Sequence, residues 1–323
     1  MYVLLYSEGR SMDGIRIAGT GKCLPKEIVT NEMLSEIVDT TDEWIESRTG
    51  MKKRYFCGEE DNLYLASNAA REAVERAEVS AGEIGIVIVA TFTSDYFMPS
   101  TACLIQKELG LDEDVLCFDL NAACSGFVYG IETARALLGT TEKKYALVIG
   151  SEVISKKLDM QDRSTCILFG DGAGAAVIEK AENKKYAGIF GCRGNAEDLY
   201  CRAAEENSRK IHMNGQEIYK FAVRTMPQLI CDAAKKAGLE LSDIDLFVCH
   251  QANLRIIESI AKTLGQPLDK FFIQVGEYAN TSAASIAIAL CDLESAGRLE
   301  PGMKIILTGF GAGLTWGAIG MEW

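Results

Sequence analysis

Histidine is almost absent from this chain. Two occur in 323 residues, His212 and His250, so any chemistry that needs an imidazole has two places to reside. Paired cysteines are absent as well. There are eleven cysteines but no C-x-x-C pair and no framework spacing, so neither a metal site nor disulfides are indicated. Unpaired thiols in that number point to a reducing, cytoplasmic setting. No apolar run reaches the roughly 20 residues of a membrane span. The apolar start, Met1 to Tyr6, is short and lacks the basic lead-in of a signal peptide. Positive charge is in deficit: 33 Lys and Arg stand against 46 Asp and Glu, a net charge of −13. That argues against general nucleic-acid binding, which requires a basic face. Gly19-Thr20-Gly21-Lys22 lacks the upstream glycine and the Ser/Thr of a phosphate loop. No Gly-x-Ser-x-Gly elbow occurs.

What is present is an α/β pattern that repeats. Leu65 to Val74 reads as an amphipathic helix, Ile84 to Ala90 as a buried strand, and Thr101 to Leu109 as a helix stopped by Gly110. A strand over Val115 to Leu120 then leads into a helix over Phe127 to Leu138. Tyr145 to Gly150 reads as a strand, and Cys166 to Glu179 as a strand pair around a Gly-rich bend. The second half replays this order. A helix spans about Tyr219 to Ala237, a strand Ile244 to His250, a helix Leu254 to Leu264, and a strand Phe271 to Val275. Asn280 then opens a helix running through Leu290, and Lys304 to Gly309 is the last strand before a second Gly-rich bend. Superposed, the repeats place Ala90 on His250 and Cys124 on Asn280. Residues 1–180 form an N-terminal half and 181–323 a C-terminal half. Residues 1–11, ahead of Met12, read either as a dispensable extension or as an ordinary edge strand.

Cys124 falls where a strand passes into a helix. Unpaired N–H groups and the positive end of the dipole favour thiolate there, and thiolate is the nucleophile. His250 ends a strand, the position at which α/β proteins place chemistry. His212 reads as structural or pocket-lining. Asn280 is either a helix cap or a donor aimed at a developing oxyanion. Cys, His and Asn together admit thiol proteolysis or acyl transfer with carbon–carbon bond formation.

Several ordered runs carry a resemblance: Asp42 to Gly50, Pro99 to Cys103, Asn121 to Phe127, Asp162 to Thr165 leading into Phe169 to Gly174, His250 to Arg255, Gly276 to Ser282, and Gly309 to Gly317. From about Ile15 to the C-terminus the chain resembles β-ketoacyl-acyl-carrier-protein synthase III. These thiolase-fold enzymes begin type II fatty acid synthesis. The resemblance implies a five-layered αβαβα core of two duplicated halves, usually a homodimer. Cys124 matches the acylated nucleophile. His250 and Asn280 match the pair that assists malonyl decarboxylation, and the N–H groups of Cys124 and Ala312 the oxyanion hole. Ala312 replaces one of three customary glycines, narrowing that loop. Trp44 and Arg163 match positions that sandwich the coenzyme A adenine, and Arg48 a phosphate contact. Met98, where many straight-chain enzymes carry Phe, and Phe310 match the acyl pocket. Lys220, Arg224 and Arg255 match a docking face for acyl carrier protein. The expected substrates are an acyl-coenzyme A primer and malonyl-acyl carrier protein, with no permanently bound cofactor. Elongating ketosynthases need two active-site histidines and thiolases a second C-terminal cysteine, and neither pattern fits. A relative that primes a polyketide or another secondary metabolite is the alternative.

Overall fold

Burial on both faces of the strands decides how this molecule is layered. The computed structural model describes residues 14–182, 184–203 and 209–323; the expected extension at residues 1–11 lies outside them. In the first sheet, Ile86 and Ile88 face one way and Val87 and Val89 the other, and all four are buried. A strand with two buried faces must be covered on both sides.

The first sheet contains β1 (Ile15–Cys23), β2 (Ile84–Ala90), β3 (Leu116–Leu120), β4 (Tyr145–Glu152) and β5 (Gly172–Lys180), in the order β1-β5-β4-β2-β3. The second contains β6 (Tyr186–Asn195), β7 (Leu246–Cys249), β8 (Lys304–Gly311) and β9 (Gly313–Glu322), in the order β7-β8-β9-β6. The pairing senses match. β2 runs parallel to β4 as β7 does to β8, and the next two pairings are antiparallel in both sheets. A parallel bridge from Phe271 to Phe247 stands where β3 stands beside β2.

The longer helices among the described residues are α1 (Asp42–Thr49), which packs away from both sheets, and α2 (Asn62–Ala77), α3 (Thr101–Glu108), α4 (Gly126–Leu138), α5 (Gly215–Lys236), α6 (Leu254–Leu264) and α7 (Ala284–Ser295), which cover them. α2 and α3 pack on the outer face of the first sheet. α5 and α6 pack on the outer face of the second. α4 and α7 lie between the sheets, where Phe127, Ile131, Ile286 and Leu290 meet Ile88, Val248 and Leu307. Each fully buried side chain of this kind stabilises the fold by about 1.5–3 kcal/mol.

Three sequence expectations are corrected. Cys166 to Glu179 is not a strand pair: a short helix, Arg163–Cys166, capped by Asp162, precedes the single strand β5. The expected bend at Gly170 to Gly174 is instead the lead-in to that strand and its first three residues. There Asp171 is buried and accepts from the Cys57 and Ser155 amides. Phe271 to Val275 is not a strand beyond its one bridge, because Val275–Tyr278 turns into a short helix. Asn280 does not open α7 directly, since that helix begins four residues later.

Candidate active site

Cys124 sits in the tight turn Ala123–Ser125 between β3 and α4. Ala123 before it holds φ 47°, and Ala279 before Asn280 holds φ 53°. Two non-glycine residues in the left-handed region, at pseudo-equivalent places, mark strained turns that present the side chain that follows. The end of β8 passes directly over the nucleophile. A Cβ on Gly311 would lie 2.6 Å from the Cys124 nitrogen, so this crossing needs glycine.

The expected thiolate is corrected. Burial pushes the Cys124 thiol up to about 12, outweighing its own N–H and the Ser282 hydroxyl, which both favour the anion. The turn at Cys124 is one residue short of α4, and the site is enclosed, so desolvation wins over the helix terminus.

His250 follows β7, and its N–H donates to the Thr308 carbonyl at 2.8 Å. Its Nδ1 lies 2.7 Å from Ser285 Oγ on α7. The Phe310 ring meets it edge-on at 5.6 Å. Burial lowers its pKa to about 3, so the imidazole is neutral at physiological pH. Asn280 is fixed by its backbone to Leu168 and Gly170, each at 3.0 Å. Its Oδ1 accepts from the Ser282 N–H at 2.8 Å, which leaves Nδ2 as the group it offers to the cavity.

These three side chains share one space. Cys124, His250 and Asn280 all line a narrow cavity of about 130 Å³ between α5, α6 and the β8 end. Cys124 also lines a second cavity of about 590 Å³, with Ala312, Ser282 and Phe169. The sulfur therefore stands where two cavities meet, one carrying the donors and the other leading away from them. An acid-orienting Asn of a protease would hydrogen-bond the imidazole. Here Ser285 occupies that place, and Asn280 stands beside the histidine along the cavity wall.

Comparison with known proteins decides between the chemistries. Family models described as 3-oxoacyl-[acyl-carrier-protein] synthase III and its C-terminal part match residues 118–195 and 234–323. A β-ketoacyl-[acyl-carrier-protein] synthase III of Clostridium acetobutylicum is 46% identical, covering 97% of this chain and 99% of its own. One from Clostridium botulinum is 45% identical at the same coverage. The chain belongs to the β-ketoacyl-acyl-carrier-protein synthase III family. It is a condensing acyltransferase with the layered fold of that family. The synthase III structure from Aquifex aeolicus superposes with a TM-score of 0.91 at 42% identity, over 96% of this chain and all of that one. The priming β-ketosynthase of the R1128 polyketide pathway also reaches 0.91, at 33% identity over 95% and 96%.

The other family positions are placed as follows. Trp44 and Arg163 come together, the guanidinium carbon 4.8 Å from the indole centroid. A base between two planes needs roughly 7 Å, two contact distances, so the pair as it stands leaves no room for one. The anchor of Arg163, a hydrogen bond to the Asp39 carbonyl, is at the exposed surface. Arg48 is exposed in the last turn of α1, and its carbonyl is held by Asn253 at 3.2 Å. Arg255 reaches across to the Ser47 carbonyl at 2.8 Å. Lys220 and Arg224 are exposed on α5 beside Tyr219 and Ile218, which line the narrow cavity. Lys220 pairs with Glu217 at 2.7 Å. Ala312 turns between β8 and β9, and Thr315 Oγ1 lies 3.0 Å from the carbonyls of both Ala312 and Ala122. Phe310 lines the narrow cavity. Met98 lines neither cavity and is 86% exposed, so the two expected acyl-pocket residues are apart within one chain. His212 lies in a short strand and stacks on Tyr200 at 4.9 Å.

Sequence reasoning missed Ser285, Thr315, Ser282 and Glu152. Each is an ordinary residue type whose partner lies 35 to 193 positions away. The Ser-Ala-Ala-Ser run after Asn280 was the one available signal.

Proposed function

We propose that the chain condenses a short acyl-coenzyme A primer with malonyl-acyl carrier protein, through an acyl-Cys124 intermediate. The observation that carries this reading is the shared narrow cavity of Cys124, His250 and Asn280. In the first half-reaction the Cys124 sulfur attacks the primer carbonyl carbon. The carbon–sulfur bond to coenzyme A breaks, and the thiol proton ends on the departing coenzyme A sulfur. The N–H groups of Cys124 and Ala312 hold the tetrahedral oxyanion. In the second, malonyl-carrier loses carbon dioxide and its enolate carbon attacks the acyl-cysteine, breaking the carbon–sulfur bond and releasing the Cys124 thiolate, which takes a proton from solvent to restore the thiol.

His250 and Asn280 donate to the malonyl thioester oxygen. The Nε2–H tautomer, in which Nδ1 accepts from the Ser285 hydroxyl 2.7 Å away, is the one this role requires, and burial keeps the ring neutral, which suits a hydrogen-bond donor rather than a proton donor. Trp44, Arg163 and Arg48 receive coenzyme A. Lys220, Arg224 and Arg255 receive the carrier at the mouth of the narrow cavity. Met98 serves the acyl pocket of a partner subunit in a homodimer. That role is supported by the exposure of Tyr96, Phe97 and Met98 and, among the described residues, by the free edge of β3. The two halves divide at 180/181, in the connection between β5 and β6. No described helix is long and apolar enough to cross a membrane, and the unpaired thiols support a cytoplasmic setting. A fatty-acid role is favoured over polyketide priming by the higher identity to the synthase III relatives.

Intact-mass spectrometry after exposure to acetyl-, isobutyryl- and longer acyl-coenzyme A tests the reading. One acyl adduct per chain, lost in Cys124→Ala, is expected, and the accepted sizes define the primer. An adduct that persists in Cys124→Ala would overturn it.

A further inference from the structure

Behind the nucleophile lies a carboxyl that the reaction above does not use. Glu152 ends β4 and is fully buried. From the segment after β2, Thr93 Oγ1 approaches its Oε2 at 2.6 Å, and Thr91 Oγ1 and the Phe92 N–H do so at 3.3 Å. From the turn before α7, Ser282 Oγ lies 3.4 Å from its Oε1. From the turn before α4, Cys124 feels its charge, which opposes the thiolate. The largest influences on it are burial, which raises its pKa, and the hydrogen bonds from Thr93, Phe92, Thr91 and Ser282, which lower it. Ser282 is itself held at φ 51°, lines the larger cavity together with Cys124, and its hydroxyl favours the thiolate.

A hydroxyl has one proton to give. With Glu152 ionised, the Ser282 proton is drawn to Oε1, and Ser282 can only accept from the thiol. With Glu152 neutral, the carboxyl O–H donates to Ser282, whose own proton turns to the sulfur. We propose that Glu152 is a positioning residue that sets the direction of the Cys124–Ser282–Glu152 chain and so decides whether Ser282 stabilises the thiol or the thiolate. Burial raises the carboxyl to about 8, which puts this reversal near physiological pH. The inference rests on Cys124 as the nucleophile.

The test is the rate of iodoacetamide alkylation of Cys124, read on its own peptide, from pH 6 to 10. In the wild type the logarithm of the rate should rise with pH and bend downward near pH 8. Glu152→Gln cannot ionise; it should show no bend and react at least about fivefold faster at pH 9. Superimposable profiles would overturn the proposal. Ser282→Ala provides a second reading should Glu152→Gln not fold. It should slow alkylation severalfold at pH 7 and little at pH 9, and equal loss at both would mean a purely structural role. Acylation of the wild type by acetyl-coenzyme A is scored separately. Its absence would defeat the assigned function, whereas acylation with indifferent variants would defeat only this inference.

Discussion

At the scale of single residues, the site works by burial rather than by exposed charge. His250 stays neutral until about pH 3, whereas an ordinary histidine takes its proton near 6.5. In the unfolded chain His250 is protonated below 6.5. The stability it confers is therefore complete above 6.5 and is lost as pH falls towards 3. A thermal-unfolding series from pH 7 to 4 should show His250→Gln declining less steeply than the wild type. The condensation step should correspondingly show no ionisation near 6.5 that vanishes in His250→Gln. Ser285 orients that imidazole across a 2.7 Å contact. Ser285→Ala should lower the condensation rate about fivefold, the worth of roughly one hydrogen bond, while leaving acylation by acetyl-coenzyme A intact. Rapid-quench measurement of the two half-reactions separates these effects.

At the scale of elements, two strand ends and two helix starts create the geometry. β8 must cross Cys124 within van der Waals reach, and Gly311 permits it. Gly311→Ala would push a methyl against the Cys124 amide. It should cost about 1–3 kcal/mol of stability by overpacking and reduce acylation more than it reduces thermal stability. Parallel melting and intact-mass measurements check this. The same elements show why sequence patterning failed where it did. Phe271 to Val275 is apolar enough for a strand, yet it makes one bridge because the chain needs its next residues for the turn that presents Asn280. Leu254 to Leu264, by contrast, was legible residue for residue. Its apolar stripe is regular, Asn253 caps one end, and Gly265 at φ 63° closes the other.

At the scale of the whole molecule, the net charge of −13 makes the proposed docking face at Lys220, Arg224 and Arg255 a local exception. Arg255→Glu should raise KM for malonyl-acyl carrier protein about tenfold, or about 1.4 kcal/mol, without changing KM for the acyl-coenzyme A primer; steady-state kinetics with each substrate varied in turn checks this. The exposed Tyr96-Phe97-Met98 loop and the β3 edge should be covered by a second copy. Light scattering is expected to give twice the chain mass, and Phe97→Asp to lower it. The sequence by itself determined the duplicated α/β order and the candidacy of Cys124, His250 and Asn280, because buried strands, helix stops and nucleophile types are local and periodic. Only the tertiary structure decided the direction in which burial moves the Cys124 and His250 pKa values and the identity of the supports of all three. Burial and hydrogen bonding arise between segments far apart in the chain, so the places of Ser285 behind the imidazole and Glu152 near the sulfur were set only when the two sheets closed over the central helices.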